Sequence, residues 1–389
     1  MKITETPIKK IKTFLRNDFY LKKNNKRFNE QINNILKVII NAKLNCKEDN
    51  LVLAKIIANL EIFLKDNNLI TDNEFIPSDL ELFEIDKMDE KNYADYLIYR
   101  YKYLIYPKKK IVSDYPPCLQ IEPTSKCNFR CIMCYQSDKS FSEKKQGFMG
   151  DMNFELYKKI IDEVSGKIQA ITLASRGEPT LNKELNQFLD YSKNKFLAFK
   201  LNTNASLLND ELVHKMLQCN IQTIVFSIDS AEKAQYEKIR VKSNFEKILN
   251  NLKNFTKIKE NDYPDSKTII RISGVKINSS QDLNKMNDLF SRYADFVGLT
   301  SFTPWQSSYE NKINDIKEPC TELWRRMFVW EDGKVNPCDY DYKSMLSKEN
   351  IINNTVKNIW TSNYYNQLRQ KHLDKKRNVL EPCNRCIIT

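Results

Sequence analysis

Cysteines stand at Cys127, Cys131 and Cys134 within the run Ser125-Lys126-Cys127-Asn128-Phe129-Arg130-Cys131-Ile132-Met133-Cys134-Tyr135. Three thiolates in one short loop can hold three irons of a 4Fe–4S cube and leave the fourth iron without a protein ligand. An open position marks a reacting metal centre, whereas closed sites are usually structural. A fourth cysteine in the same loop would suit zinc or a closed electron-transfer cluster, but the nearest one, Cys118, falls on the far side of a predicted strand. A second group follows much later: Cys320, Cys338 and the Cys-x2-Cys pair Cys383 and Cys386. By spacing alone it fits tetrahedral zinc or a fully ligated cube. Cys118 and Cys219 lie in strand or helix patterns and read as small packing residues, and neither they nor Cys46 have a neighbourhood that argues for a reactive thiol. The two histidines, His214 and His372, are far apart in sequence. Histidine-based zinc catalysis and a Ser-His-Asp triad are therefore not expected, and His214, in an amphipathic helix pattern, reads as a surface residue.

The elements that must position these groups follow from periodicity. Residues 1–113 have apolar residues at helical spacing, such as Ile32, Ile35, Leu36 and Ile39, then Leu53, Ile56, Ile57 and Leu60. This region predicts a helical N-terminal domain, ended by Pro107, Pro116 and Pro117. From Cys118 onward, strands predicted over 119–123, 170–174, 197–202, 223–228, 268–275 and 296–299 alternate with helices over 154–164, 183–192, 211–219, 245–259 and 283–293. Such alternation predicts an α/β fold whose parallel sheet has right-handed crossovers. Ligands gather at the carboxyl ends of strands in such sheets, and the three-cysteine loop follows the first strand.

The cysteine spacing and the six strand–helix units resemble the radical S-adenosylmethionine (SAM) superfamily from about Pro116 onward. The resemblance implies a partial (β/α)6 barrel over 114–305 and a SAM-binding 4Fe–4S cluster on Cys127, Cys131 and Cys134. Ser175-Arg176-Gly177-Glu178-Pro179 looks like the family's Gly-Gly-Glu motif, which contacts the SAM amino group, with Arg176 in place of the first glycine. Gly177 and Pro179 would shape that turn and Glu178 is its charged member. Asn202-Thr203-Asn204 resembles a Thr-Asn-Gly segment, with Asn204 either reaching ribose or substrate or capping the next helix. Ser227 and Asp229 share one face at a strand end and suit ribose hydroxyls, or a turn cap. Arg240 resembles the arginine that pairs with the SAM carboxylate, for which a guanidinium fork is well shaped. Ser273, beside Gly274, would back the adenine, and Met133 would be its apolar neighbour or simply core.

Residues 306–389, with Asp332-Gly333, Val356–Trp360 and the terminal Pro382-Cys383-x2-Cys386, look like a short SPASM domain. That likeness favours iron over zinc and implies one auxiliary 4Fe–4S cluster on Cys320, Cys338, Cys383 and Cys386. The implied activity is reductive cleavage of SAM to a 5′-deoxyadenosyl radical that takes a hydrogen atom from the substrate. Two substrate classes fit: a sugar-like small polar molecule undergoing oxidation or epimerisation, or a peptide or protein. The N-terminal region lacks the strand-rich winged-helix pattern used to capture leader peptides, which favours the small molecule. An external donor such as flavodoxin or ferredoxin is expected.

The 389 residues suffice for a barrel-sized core with accessory domains. No stretch reaches the roughly 20 apolar residues of a membrane span. Met1-Lys2-Ile3-Thr4-Glu5 lacks a signal peptide's apolar core, so a cytoplasmic location is expected. The net charge of +12 comes with lysine and asparagine spread from end to end. It reads as solvated faces, and without a recognition motif nucleic acid is not an expected partner.

Overall fold

The computed structural model describes residues 26–66, 71 and 74–389. The part of the predicted N-terminal domain before Lys26 lies outside them. Helices Lys26–Ile39, Lys47–Lys65, Asp79–Asp86 and Tyr93–Lys109 come first. The third is capped reciprocally: Ser78 accepts from the Glu81 amide while the Glu81 carboxylate reaches back to the Ser78 amide, satisfying two free amides at once. Their apolar stripes converge on a core that includes Ile32, Ile56, Leu60, Ile85 and Leu97.

Eleven strands follow: β1 (Cys118–Ile121), β2 (Arg130–Cys131), β3 (Ala170–Leu173), β4 (Ala198–Thr203), β5 (Thr223–Ser227), β6 (Arg240–Val241), β7 (Ile269–Lys276), β8 (Phe296–Ser301), β9 (Arg326–Val329), β10 (Lys334–Asn336) and β11 (Glu349–Asn350). Nine form one sheet in the order β11-β10-β9-β1-β3-β4-β5-β7-β8, and β2 pairs with β6 separately. All pairings from β9 through β8 are parallel, while β10 runs antiparallel to both β9 and β11. The sheet does not close, because β8 and β11 stand at opposite ends of it.

The six predicted strands are β1, β3, β4, β5, β7 and β8, and the intervening helices include Phe154–Val164, Leu185–Ser192, Asp210–Gln218, Phe245–Asp262 and Leu283–Phe290. β1 and β3 are buried throughout, as expected of strands covered on both faces. β4 alternates: Phe199 and Leu201 are buried, whereas Lys200 and Asn202 are partly accessible and line the interior of the curved sheet.

Two placements go beyond the predicted pattern. β9 joins the outer edge of β1, with Leu119 opposite Met327 and Ile121 opposite Val329, so the C-terminal cysteine region is built onto the same sheet. The N-terminal helices share their core with Cys118 and Ala170, and Leu197 and Ala198 pack against it. These residues begin β1, β3 and β4, so the helices close the end of the sheet opposite the cysteine loop.

Candidate active site between two cysteine groups

The three-cysteine loop leaves β1 at Glu122 and is fastened from several sides. Thr124 Oγ1 donates to Asp151 Oδ1 at 2.6 Å. Gln136 Nε2 donates to the carbonyls of Ser125 at 2.7 Å and Arg176 at 2.6 Å. The Glu178 amide donates to the Lys126 carbonyl at 2.8 Å. Gly177 is the contact point of the two loops, since a Cβ there would collide with the Thr124 and Lys126 carbonyl oxygens. β2 and β6 add a clamp, placing Cys131 opposite Arg240.

A cavity of about 270 Å³ opens beside the loop and is lined by Cys127, Cys131 and Cys134. Among the predicted SAM contacts, Met133, Gly177, Glu178, Asn204, Ser227 and Arg240 also line it, and Pro179, Asp229 and Ser273 do not. Asp229 is fully buried, accepting from Arg240 Nε at 2.5 Å and from the Val275 amide at 2.7 Å. It therefore aims the guanidinium rather than facing the cavity. Gly274 is needed by the protein itself, because a Cβ there would strike Ile228 and Asp229, and Val275 supplies the wall instead of Ser273. Pro179 opens a short helical turn behind Glu178.

Glu178 accepts from Thr203 Oγ1 at 2.6 Å, the Asn204 amide at 2.7 Å and Thr180 Oγ1 at 2.7 Å. Burial nonetheless raises its pKa. Asn204 closes a local turn, its Oδ1 accepting from the Ser206 amide and hydroxyl, while the next helix is capped by Asn209 instead. Arg176, at the departure from Gly-Gly-Glu, is buried and donates to Glu122 Oε1 at 2.6 Å, Glu331 Oε2 at 2.7 Å and the Tyr342 carbonyl at 3.0 Å, with its guanidinium 4.3 Å over the Trp330 ring. One arginine thus ties the ends of β1, β3 and β9 together. Burial, then the Glu122 charge, push Glu331 up to about 9.

The donor set suits a thiolate-bound metal group. Burial is the leading cause that pushes the Cys127 and Cys131 thiols up to about 12 and about 11 and raises Cys134 as well, and only a cationic metal would deprotonate them outright. Amides of Phe129 and Gln136 point at the Cys127 and Cys134 sulfurs at 3.5 Å. Among the described residues no three His, Cys, Asp or Glu side chains are grouped to hold a single metal ion.

A family model for the radical SAM superfamily matches residues 121–290, and one for an iron–sulfur cluster-binding domain, SPASM, matches residues 320–387. The chain belongs to the radical SAM superfamily. A Methanocaldococcus jannaschii protein of uncharacterised role is 28% identical over 52% of this chain and 62% of its own length. Mycofactocin maturase MftC of Mycolicibacterium smegmatis is 23% identical over 56% of this chain and 52% of its own length. Both matches cover less than two thirds of the relative. The crystal structure of BtrN in complex with AdoMet and 2-DOIA superimposes with a TM-score of 0.50 at 17% identity, covering 71% of this chain and 94% of that one. It shares the fold. Membership brings a 4Fe–4S cluster and SAM, and the SPASM domain brings auxiliary iron–sulfur binding.

A second cavity, of about 310 Å³, is lined by Cys320, Cys338 and Cys386 and by Gln120, Thr172, Lys200, Glu322, Arg326 and Asp339. Seven residues, Ala174, Ser175, Asn202, Thr300, Ser301, Thr303 and Trp305, line both cavities, so the two adjoin. Several of the side chains lining the second cavity are charged or polar. Arg326 Nε donates to Glu322 Oε2 at 2.7 Å, and Gln120 Nε2 donates to Asp339 at 3.2 Å. Burial lifts the Asp339 carboxyl to about 7.

The C-terminal cysteines are gathered by Arg377, which is 1% exposed and donates to the carbonyls of Glu318, Cys383, Cys386 and Ile388. His372 Nδ1 accepts from the Cys320 amide at 3.2 Å, and burial, followed by the Arg377 and Lys110 charges, lowers its pKa to about 3. It is a neutral acceptor. Cys118 and Cys219 are buried packing residues, and His214 is partly exposed beside Tyr263. Sequence reasoning missed Ser175, Asn202 and Trp305 at the junction, and Arg377 behind the second group. Asn202 was within reach of a signal, since it shares the inward face of β4 with Lys200.

Proposed function

We propose that this enzyme cleaves SAM reductively at a cluster on Cys127, Cys131 and Cys134 and takes a hydrogen atom from a small, polar, sugar-like substrate, for oxidation or epimerisation. The charged and polar side chains that line the space between the two cysteine groups carry this reading. Its walls offer both charges and several amide and hydroxyl groups, which suit a polyhydroxylated molecule better than an apolar one.

Met133, Gly177, Glu178, Asn204, Ser227 and Arg240 would hold SAM, with Asp229 orienting Arg240, Pro179 setting the Glu178 turn and Ser273 supporting the wall. When bound, the cluster and SAM supply one-electron cleavage of the sulfonium and the 5′-deoxyadenosyl radical that abstracts hydrogen. The fold contributes placement: it presents the substrate carbon at the junction and keeps water away from it. Cys320, Cys338, Cys383 and Cys386 would hold a fully ligated cube, a group suited to one-electron transfer. An external donor of the flavodoxin or ferredoxin class would deliver the reducing electron. Peptide modification is the competing reading. The N-terminal helices pack at the far end of the sheet, away from the cysteine loop, which leaves the chamber itself to select the substrate.

Anaerobic reconstitution with iron, sulfide, dithionite and SAM should yield 5′-deoxyadenosine, and Cys131→Ala should abolish it. Failure of the wild-type chain to form any would sink the proposal.

A further inference from the structure

Three buried polar atoms at the junction of the two cavities have no hydrogen-bond partner among the described residues: Ser175 Oγ, Asn202 Oδ1 and Trp305 Nε1. All three residues line both cavities. Leaving such groups unpaired is costly, and three at one place need an explanation. Each is also held firmly. Trp305 stacks on Tyr135 with ring planes 3° apart and centroids 5.9 Å apart. Ser175 sits at φ 144°, where side-chain-bearing residues are rarely found, while the Tyr135 hydroxyl donates to its carbonyl at 2.6 Å. Backbone strain of this kind persists where surrounding structure enforces it, and it clusters at functional sites. Asn202 is fixed on β4 between β3 and β5.

From this geometry we propose that Ser175, Asn202 and Trp305 form a collar that positions the substrate between SAM and the second cysteine group. The proposal rests on the reading of the enzyme as a radical SAM enzyme acting on a polar small molecule. The chemistry of the collar narrows the ligand. Trp305 Nε1 can only donate, Asn202 Oδ1 can only accept, and the Ser175 hydroxyl can do either. A bound molecule must therefore offer an acceptor and a donor close together, with room for a third hydrogen bond. Vicinal hydroxyls, or a hydroxyl beside an amine, meet that pattern on one face of a ring. The substrate class is a cyclic polyol or amino-polyol.

The test uses the full chain, anaerobically reconstituted and already shown to form 5′-deoxyadenosine, so that failure here is distinct from failure of the radical SAM reading. Equilibrium dialysis with SAM present measures binding of radiolabelled myo-inositol, scyllo-inosamine and a glycine-rich pentapeptide. Saturable binding of a cyclic polyol or amino-polyol is expected, weakened about tenfold by Ser175→Ala and by Trp305→Phe, which keeps the ring and removes the donor. Asn202→Asp replaces a neutral acceptor with an anion and should shift preference about tenfold toward scyllo-inosamine over myo-inositol. A merely structural role would not change that ratio. Absence of saturable binding by either ring compound, tighter binding of the pentapeptide, or an unchanged ratio in Asn202→Asp would each overturn the proposal.

Discussion

Arg176 holds two carboxylates that burial would otherwise set against each other. Burial opposes the Glu122 charge, but the Arg176 guanidinium outweighs it and keeps that pKa low, while Glu331 retains its proton up to about 9. The neutral-pH state is therefore one cation, one anion and one neutral acid. Unfolded, Glu331 returns to an ordinary carboxylate, so the folded state holds an extra proton in between. Its contribution to stability is complete below the unfolded value and is lost as pH rises toward 9. Glu331→Gln keeps a neutral group there, so the wild-type melting temperature should fall relative to the variant between pH 6 and pH 9. A constant difference across that range would contradict the assignment. Arg176→Ala should cost about 3–5 kcal/mol in denaturant unfolding, because it strands buried charge. The sequence showed Arg176 only as a departure from a glycine; its partners lie 54 and 155 positions away.

The cysteine loop depends on elements that come close to it rather than on its own residues. Gly177 abuts the carbonyls of Thr124 and Lys126, and neither can move without displacing the loop. Gly177→Ala should therefore lower iron occupancy of the first site and destabilise the chain by about 2 kcal/mol, read by iron analysis and urea titration. Gly147→Ala is the comparison, since a Cβ there meets nothing within 4 Å and only its φ of 77° is penalised. Helix Phe154–Val164 matches its predicted bounds because an apolar stripe and the Asn153 cap are local signals. β2 and β6 were not foreseen, since each has two residues and exists only because its partner is near.

Across the whole molecule, six of the seven cysteines in the two groups line a pair of adjoining cavities. Reconstituted wild-type chain should carry about eight irons, and Cys338→Ala about four, with SAM cleavage retained at the first site. Stoichiometric zinc in the wild type would contradict the iron assignment of the second group. No helix among the described residues is long and apolar enough to cross a membrane. What the sequence determined by itself was chemistry and local form: three thiols in a loop, four more downstream, and six strands alternating with helices. Those signals lie within a few residues of one another, where side-chain period and cap chemistry act. The tertiary structure decided which groups share a space. It set β9 beside β1, although Leu119 and Met327 are far apart in the chain, and thereby brought the four-cysteine group against the same interior as the three-cysteine loop. It also turned Asp229 onto Arg240 and left Ser175 Oγ, Asn202 Oδ1 and Trp305 Nε1 at the junction without a partner among the described residues. Burial and cross-sheet register settle such matters, and both depend on residues too distant in sequence to leave a local pattern.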